Sequence, residues 1–168
     1  MMMKYFHRLA AIVLAFVLLV VFPISAQAAS SSSISRDAGS SQFKGKDFSG
    51  QNLQMASFAN ANLEEIDFSN ADLRGAVFNG STMTKAKLHG VDFSDGIAYL
   101  VDFTSADLSD AVLVQAIMLR STFDDVDVTG ADFSDAVLDG FQVKKLCAQA
   151  TGVNPKTGVA TRESLGCR

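Results

Sequence analysis

The chain has 168 residues, 14 of them basic and 18 acidic, for a net charge of −4. That length allows one domain, and the acidic balance disfavours binding to nucleic acid or to an anionic membrane surface. Thirteen Phe stand against two Tyr and no Trp, an imbalance that any account of the core has to explain.

Residues 1–28 read as an export signal. Lys4 and Arg8 form a short basic region, Leu9 to Phe22 is an almost unbroken apolar run, and Ala26-Gln27-Ala28 is a small-x-small site for cleavage between Ala28 and Ala29. The run is short for a membrane span. The rival reading is an uncleaved anchor, which would be the chain's one tie to a membrane. Cleavage leaves 12 basic against 18 acidic residues, a net charge of −6. Residues 29–40 are serine-rich and aperiodic, so they read as a flexible leader with nothing to bury.

From Phe43 a large apolar residue recurs at every fifth position as far as Val143, twenty-one positions in one phase with Ala98 the single weak member. Two residues before each, from Ala56 to Ala136, stands Ala, Ser, Gly, Val or Ile, and ten of these are Ala. The residue between is often Asp or Asn. A step of five turns an α-helix by about 140°, which would scatter the large residues around the cylinder. On a continuous strand an odd step alternates faces. The chain must therefore turn once per pentad. The small and large residues then point inward, the residue between them points outward, and the last two form a corner. Gly45, Gly50, Gly75, Gly80, Gly90, Gly130 and Gly140 all take the final corner position, where a turn can need positive φ. A single ring of such segments cannot bury its Phe layer, so rings must stack into a solenoid.

The outward position is apolar at Val77, Ile97, Val112, Ile117 and Val137. Four of these recur at intervals of 20, which suggests four pentads per coil. On that count Val77, Ile97, Ile117 and Val137 share one outer face, with Tyr99, Leu100, Val112, Val114 and Leu119 on or beside it. This is the candidate partner surface. Two other readings stay open: the backbone bulges at Ala98 and turns Ile97 or Leu100 inward, or the C-terminal tail folds over the face. Lys46 and Gln51 occupy inward small-residue slots, so the first coil is expected to fray or to be built upon. Pairing two such N-terminal ends would make a homodimer.

The runs Ala61-Asn62-Leu63, Ala71-Asp72-Leu73, Ala106-Asp107-Leu108 and Ala131-Asp132-Phe133 resemble the A(D/N)LXX signature of the pentapeptide-repeat family over residues 41–143. The resemblance implies an all-β fold, a right-handed quadrilateral β-helix of about five coils. At a strand spacing near 4.8 Å the shaft would be roughly 25 Å long.

Residues 144–168 form a C-terminal cap. Cys147 to Gly158 reads as a short helix running into a turn, and Thr161 to Cys167 as a second helical turn with Gly166 near its end. Cys147 and Cys167 are the two cysteines of the chain. In an exported protein they read as a disulfide, the alternative being two free thiols. A tail of this kind resembles the thylakoid lumenal pentapeptide proteins of plants and cyanobacteria, in which short helices and a disulfide close the C-terminal end. The signal lacks a twin-arginine pair and a long bipartite transit peptide. The expected location is thus a thylakoid lumen or a periplasm, in a cyanobacterial cell.

No catalytic constellation appears. His89, the one histidine after residue 28, falls at an outward corner, where a solvated side chain is the ordinary case. No transition-metal spacing and no phosphate loop is present, so no cofactor is expected. Asp47, Asp67, Asp107 and Asp127 would stack in one column interrupted by Lys87; this is a solvated acidic face or, as an alternative, a Ca²⁺ site. The expected function is a non-catalytic protein-binding or scaffolding module. The family resemblance implies another alternative, a DNA mimic that engages gyrase, which fits the acidity but conflicts with an export signal.

Overall fold

The computed structural model describes residues 43–168. The export signal, the Ala28–Ala29 cleavage site and the leader lie outside the described residues. From Phe43 every pentad folds alike. Its outward residue makes parallel bridges to the residues 20 before and 20 after it, in an unbroken series from Asp47↔Asp67 to Ile117↔Val137. Each coil therefore has four five-residue sides. At that register the stretch from Phe43 to Asp139 makes nearly five turns.

The physical reason is visible in one pentad. Phe48 N–H donates to Asp67 O (2.7 Å) and Asp67 N–H donates to Lys46 O (2.9 Å), so each outward residue spends both backbone groups on the coil below it. The corner is a four-residue turn, closed for example by Gln51 N–H to Phe48 O (3.2 Å). Its third residue has positive φ at every corner from Gly45 to Asp135, including Leu100 (58°) and Arg120 (59°). That is the pattern of a type II turn, where a side chain costs on the order of 1 kcal/mol. The cost is offset because the same residue's N–H bonds the next coil, as Asn60 N–H does to Asn79 O (2.8 Å).

The large residues meet at the axis. Phe58, Leu63, Phe68, Leu73, Phe78 and Met83 are fully buried, and Phe58 stacks on Phe78 with ring centroids 5.1 Å apart. Phe103 stacks on Phe123 in the same way, at 5.3 Å. This explains the Phe excess: flat rings 20 residues apart stack at the coil spacing. Ala98 does not cause a bulge. Ile97 N–H reaches Ala76 O (2.9 Å) and Ala98 N–H reaches Ile117 O (2.8 Å), in register. In the same coil the ring of Phe93 lies over Gly96 so closely that a Cβ there would overlap it, and a small apolar cavity lined by Phe78, Phe93 and Met118 remains in the core at this level.

The first coil is formed, contrary to the expectation of fraying. Its backbone pairs with the second coil throughout, and the Lys46 and Gln51 side chains stay exposed while their carbonyls accept from Asp67 and Asp72 (2.9 Å each). The backbone ladder does not depend on what fills the small slot.

The repeat ends earlier than its apolar phase suggests. Helix α1 spans Gly140–Cys147, so Gly140 is no corner and Val143 is no core residue of a coil. Asp139 N–H donates to Gln142 Oε1 (2.6 Å), which opens the helix. Gln142 Nε2 then donates to the carbonyls of Met118 (3.2 Å) and Ser121 (2.6 Å) at the end of the shaft. Gln142 and Leu146, four apart on one helix face, are the buried pair. A hairpin follows, with Val153 bridged antiparallel to Ala160, and then the single turn α2, Thr161–Ser164. Cys147 and Cys167 form a disulfide with Cα atoms 5.6 Å apart. Leu146, Ala150 and Leu165 join the core and close the shaft's C-terminal end.

Candidate functional site

The four sides differ in what they present. Most outward Asp and Asn residues serve their own turn. Asp67 Oδ1 accepts from Ser69 N–H (3.0 Å), Asp107 Oδ1 from Ser109 N–H (2.9 Å) and Asp127 Oδ1 from Thr129 N–H (2.9 Å). The signal for this was present in the sequence as Ser or Thr two residues after Asp. The Asp67 side carries Asp47, Asp67, Lys87, Asp107 and Asp127 in one bridged column, and Lys87 Nζ pairs with Asp67 Oδ2 at 3.2 Å. Among the described residues no three His, Cys, Asp or Glu side chains converge as metal ligands. His89 lies on this side, exposed, with Nδ1 2.9 Å from Ser109 Oγ.

The next side carries Asp72, Asp92, Val112 and Asp132 in one column. Arg74 donates twice to Asp72, through Nε at 2.9 Å and Nη2 at 2.7 Å. This pairing, aided by Gln54 Nε2, holds the Asp72 carboxyl at about 2, below the ordinary carboxylate range. Toward the C-terminal end this side is covered. The Asn154 side chain donates to the carbonyls of Asp110 (3.1 Å), Ala111 (3.1 Å) and Gly130 (2.9 Å), and is 1% exposed. Lys156 Nζ reaches Gly90 O, and Phe133 N–H donates to Ser164 Oγ (3.0 Å). Where this strap crosses, Val112 and Asp132 are buried.

The third side is the apolar one. Bridges run Val77↔Ile97, Ile97↔Ile117 and Ile117↔Val137, so the four residues stand in one column. Ile117 is 39% exposed, Val137 44% and Leu100 48%. Val77, Ile97, Tyr99 and Leu119 are half-buried. The strap lies on the neighbouring side, so the tail does not cover this one. Arg120 closes its far edge. Its Nη1 donates to Tyr99 Oη (3.0 Å), its guanidinium sits 5.9 Å from that ring's centroid, and its N–H donates to Asp139 Oδ2 (2.8 Å).

The remaining side holds Asn62, Thr82, Asp102 and Thr122. Ser81 and Ser121 hold inward slots next to it. Ser81 Oγ donates to Phe58 O (2.5 Å) and accepts from Ala61 N–H (3.0 Å); Ser121 repeats the arrangement with Ala98 O and Val101 N–H. Their smallness was legible, their stitching of adjacent coils was not.

Residues 40–70, 56–95 and 102–140 match the family model "Pentapeptide repeats", in eight copies. This chain belongs to the pentapeptide-repeat family. Its coil is accordingly a right-handed β-helix solenoid. One 36-residue segment is 67% identical to thylakoid lumenal protein TL20.3, chloroplastic, of Arabidopsis thaliana. That segment is 21% of this chain and spans only 13% of the relative. Among solved structures the chain is similar to a pentapeptide repeat protein from the Arabidopsis thaliana thylakoid lumen, at 35% identity and a TM-score of 0.44, covering 75% of this chain and 88% of that one. A pentapeptide repeat protein from Nostoc shares the fold at 24% identity and a TM-score of 0.50, covering 60% and 80%.

Proposed function

We propose that this chain is an exported, non-catalytic protein-binding module of the thylakoid lumen, and that it binds through the Val77–Val137 side. The observation that carries the reading is the bridged column Val77, Ile97, Ile117 and Val137, extended by Tyr99, Leu100 and Leu119. Leu100, Ile117 and Val137 are exposed here and the other four half-buried, on a shaft whose other sides are polar or strapped over, and a contiguous apolar patch of this kind marks an interaction surface. The lumenal location is supported by the Arabidopsis relatives, both described as lumenal, and by the export signal read in residues 1–28. Support for a non-catalytic role comes from the engaged state of the polar groups: the outward carboxylates hold their own turns, and His89 faces a serine at an open corner.

The test is crosslinking in intact cells followed by fractionation, with a photoreactive residue in place of Ile117. The expected result is a specific adduct in the lumenal fraction that is lost when the photoreactive group is moved to His89. An adduct from neither position, or protein recovered in the cytosol, would overturn the reading.

A further inference from the structure

We propose that the occupant of the apolar side is a second copy of this chain, packed side by side with the two shafts parallel. The inference rests on reading that side as a protein-binding surface. Its support is the charge pattern at the two edges of the face. One edge is the corner column Asp95, Gln115 and Asp135, all exposed. The other edge carries Leu100 and Arg120. Among the described residues, Asp95, Asp135 and Arg120 take part in no ion pair. The contacts of Arg120 to Tyr99 keep its charge at the rim of the face.

A two-fold axis parallel to the shaft preserves height and exchanges the two edges. Each Arg120 then faces the partner's Gln115 at the same level, with the partner's Asp95 and Asp135 one coil away on either side, about 4.8 Å. Ile97 meets Ile97 and Ile117 meets Ile117. A two-fold axis across the shaft would instead lay one acidic corner on the other, setting Asp95 against Asp135 with no cation between them. Like charges so placed oppose association. The pattern of charge therefore selects the parallel pairing. The apolar ladder is three coil steps tall, about 15 Å. A face of that height buries less than the roughly 800 Å² per partner of a stable interface, so the dimer is reversible.

Sedimentation equilibrium on the purified protein tests this, with thermal melts to verify folding. The weight-average mass is expected to rise reversibly toward twice the monomer value as concentration reaches about 0.1–1 mM. Ile117→Asp should weaken the dimer at least tenfold without shifting the melt. Arg120→Asp and Asp135→Arg should each weaken it severalfold, and the double exchange should restore it; both positions already tolerate a charged side chain at positive φ. A monomer at every concentration, a dimer indifferent to Ile117→Asp, or a dimer tightened by Asp135→Arg overturns the proposal. If the protein is monomeric yet a photoreactive residue at position 117 captures a different protein in cells, the second-copy proposal fails and the protein-binding reading stands. If position 117 captures nothing and the protein stays monomeric, both fail.

Discussion

Val112 and Ile117 occupy the same slot of successive pentads, on adjacent sides of one coil. Both are β-branched, apolar and outward by the repeat. Val112 is 7% exposed and Ile117 is 39% exposed. The difference is made by residues some forty positions away, because Asn154 anchors the strap to the carbonyls of Asp110, Ala111 and Gly130. The repeat dictates direction, whereas exposure depends on what arrives later from the end of the chain. One side became an extension of the core and the other became the surface proposed to bind.

Introducing a charge at the two positions is the strongest test of that contrast. Val112→Asp should destabilise by about 3 kcal/mol or more, since it buries an unpaired carboxylate under the strap. Ile117→Asp should stay within about 0.5 kcal/mol, as an exposed substitution does. Denaturant melts of both variants measure the gap, and equal losses would dissolve the distinction between the sides.

Removing the anchor should make the two sides alike. Asn154→Ala strips the side-chain donor from the carbonyls of Asp110 and Gly130, while Ala111 O keeps Asp132 N–H, and should cost about 2–3 kcal/mol. Amide exchange at Val112 and Asp132 is expected to accelerate with it, while exchange at Ile97 and Ile117 holds steady. Opening the disulfide acts on the same strap from its ends. A Cys147→Ala/Cys167→Ala variant should lose about 2–3 kcal/mol, with the protection loss confined to residues 147–167 and the carbonyls they meet. Uniform loss along the whole shaft would show that the cap is no separate unit.

The smallest expected effect is electrostatic and lies on the strapped side, near its open end. Asp72 has its carboxyl lowered to about 2 by Arg74. A carboxyl lowered in the folded state stabilises above its unfolded value near 3.9, and that contribution fades as pH falls toward 2. Arg74→Ala should therefore reduce the stability difference between pH 5 and pH 2 slightly, and shift the Asp72 titration toward the ordinary carboxylate range by NMR. An unmoved Asp72 titration would remove Arg74 as the cause.

Much of this protein is written locally. The five-residue phase sets inward against outward because a corner follows every short extended segment, and the recurrence of 20 in Val77, Ile97, Ile117 and Val137 already marks the coil. Cys147 and Cys167 were legible as a pair because no other cysteine competes. What local pattern could not carry is what depends on packing between distant segments. Val143 keeps the apolar phase, yet Asp139 and Gln142 start a helix there because Gln142 finds free carbonyls at Met118 and Ser121. Ala98 reads as a fault in the core, yet the backbone ladder passes through Ile97 and Ala98 in register because it is made by main-chain groups alone. The path of the strap is the largest omission, since three carbonyls presented by two successive coils exist as a docking point for Asn154 only once those coils have stacked. Repeat, register and outward chemistry follow from the order of residues within and between pentads. Which apolar side is covered and which is left exposed follows from the fold, because exposure is a property of neighbours in space.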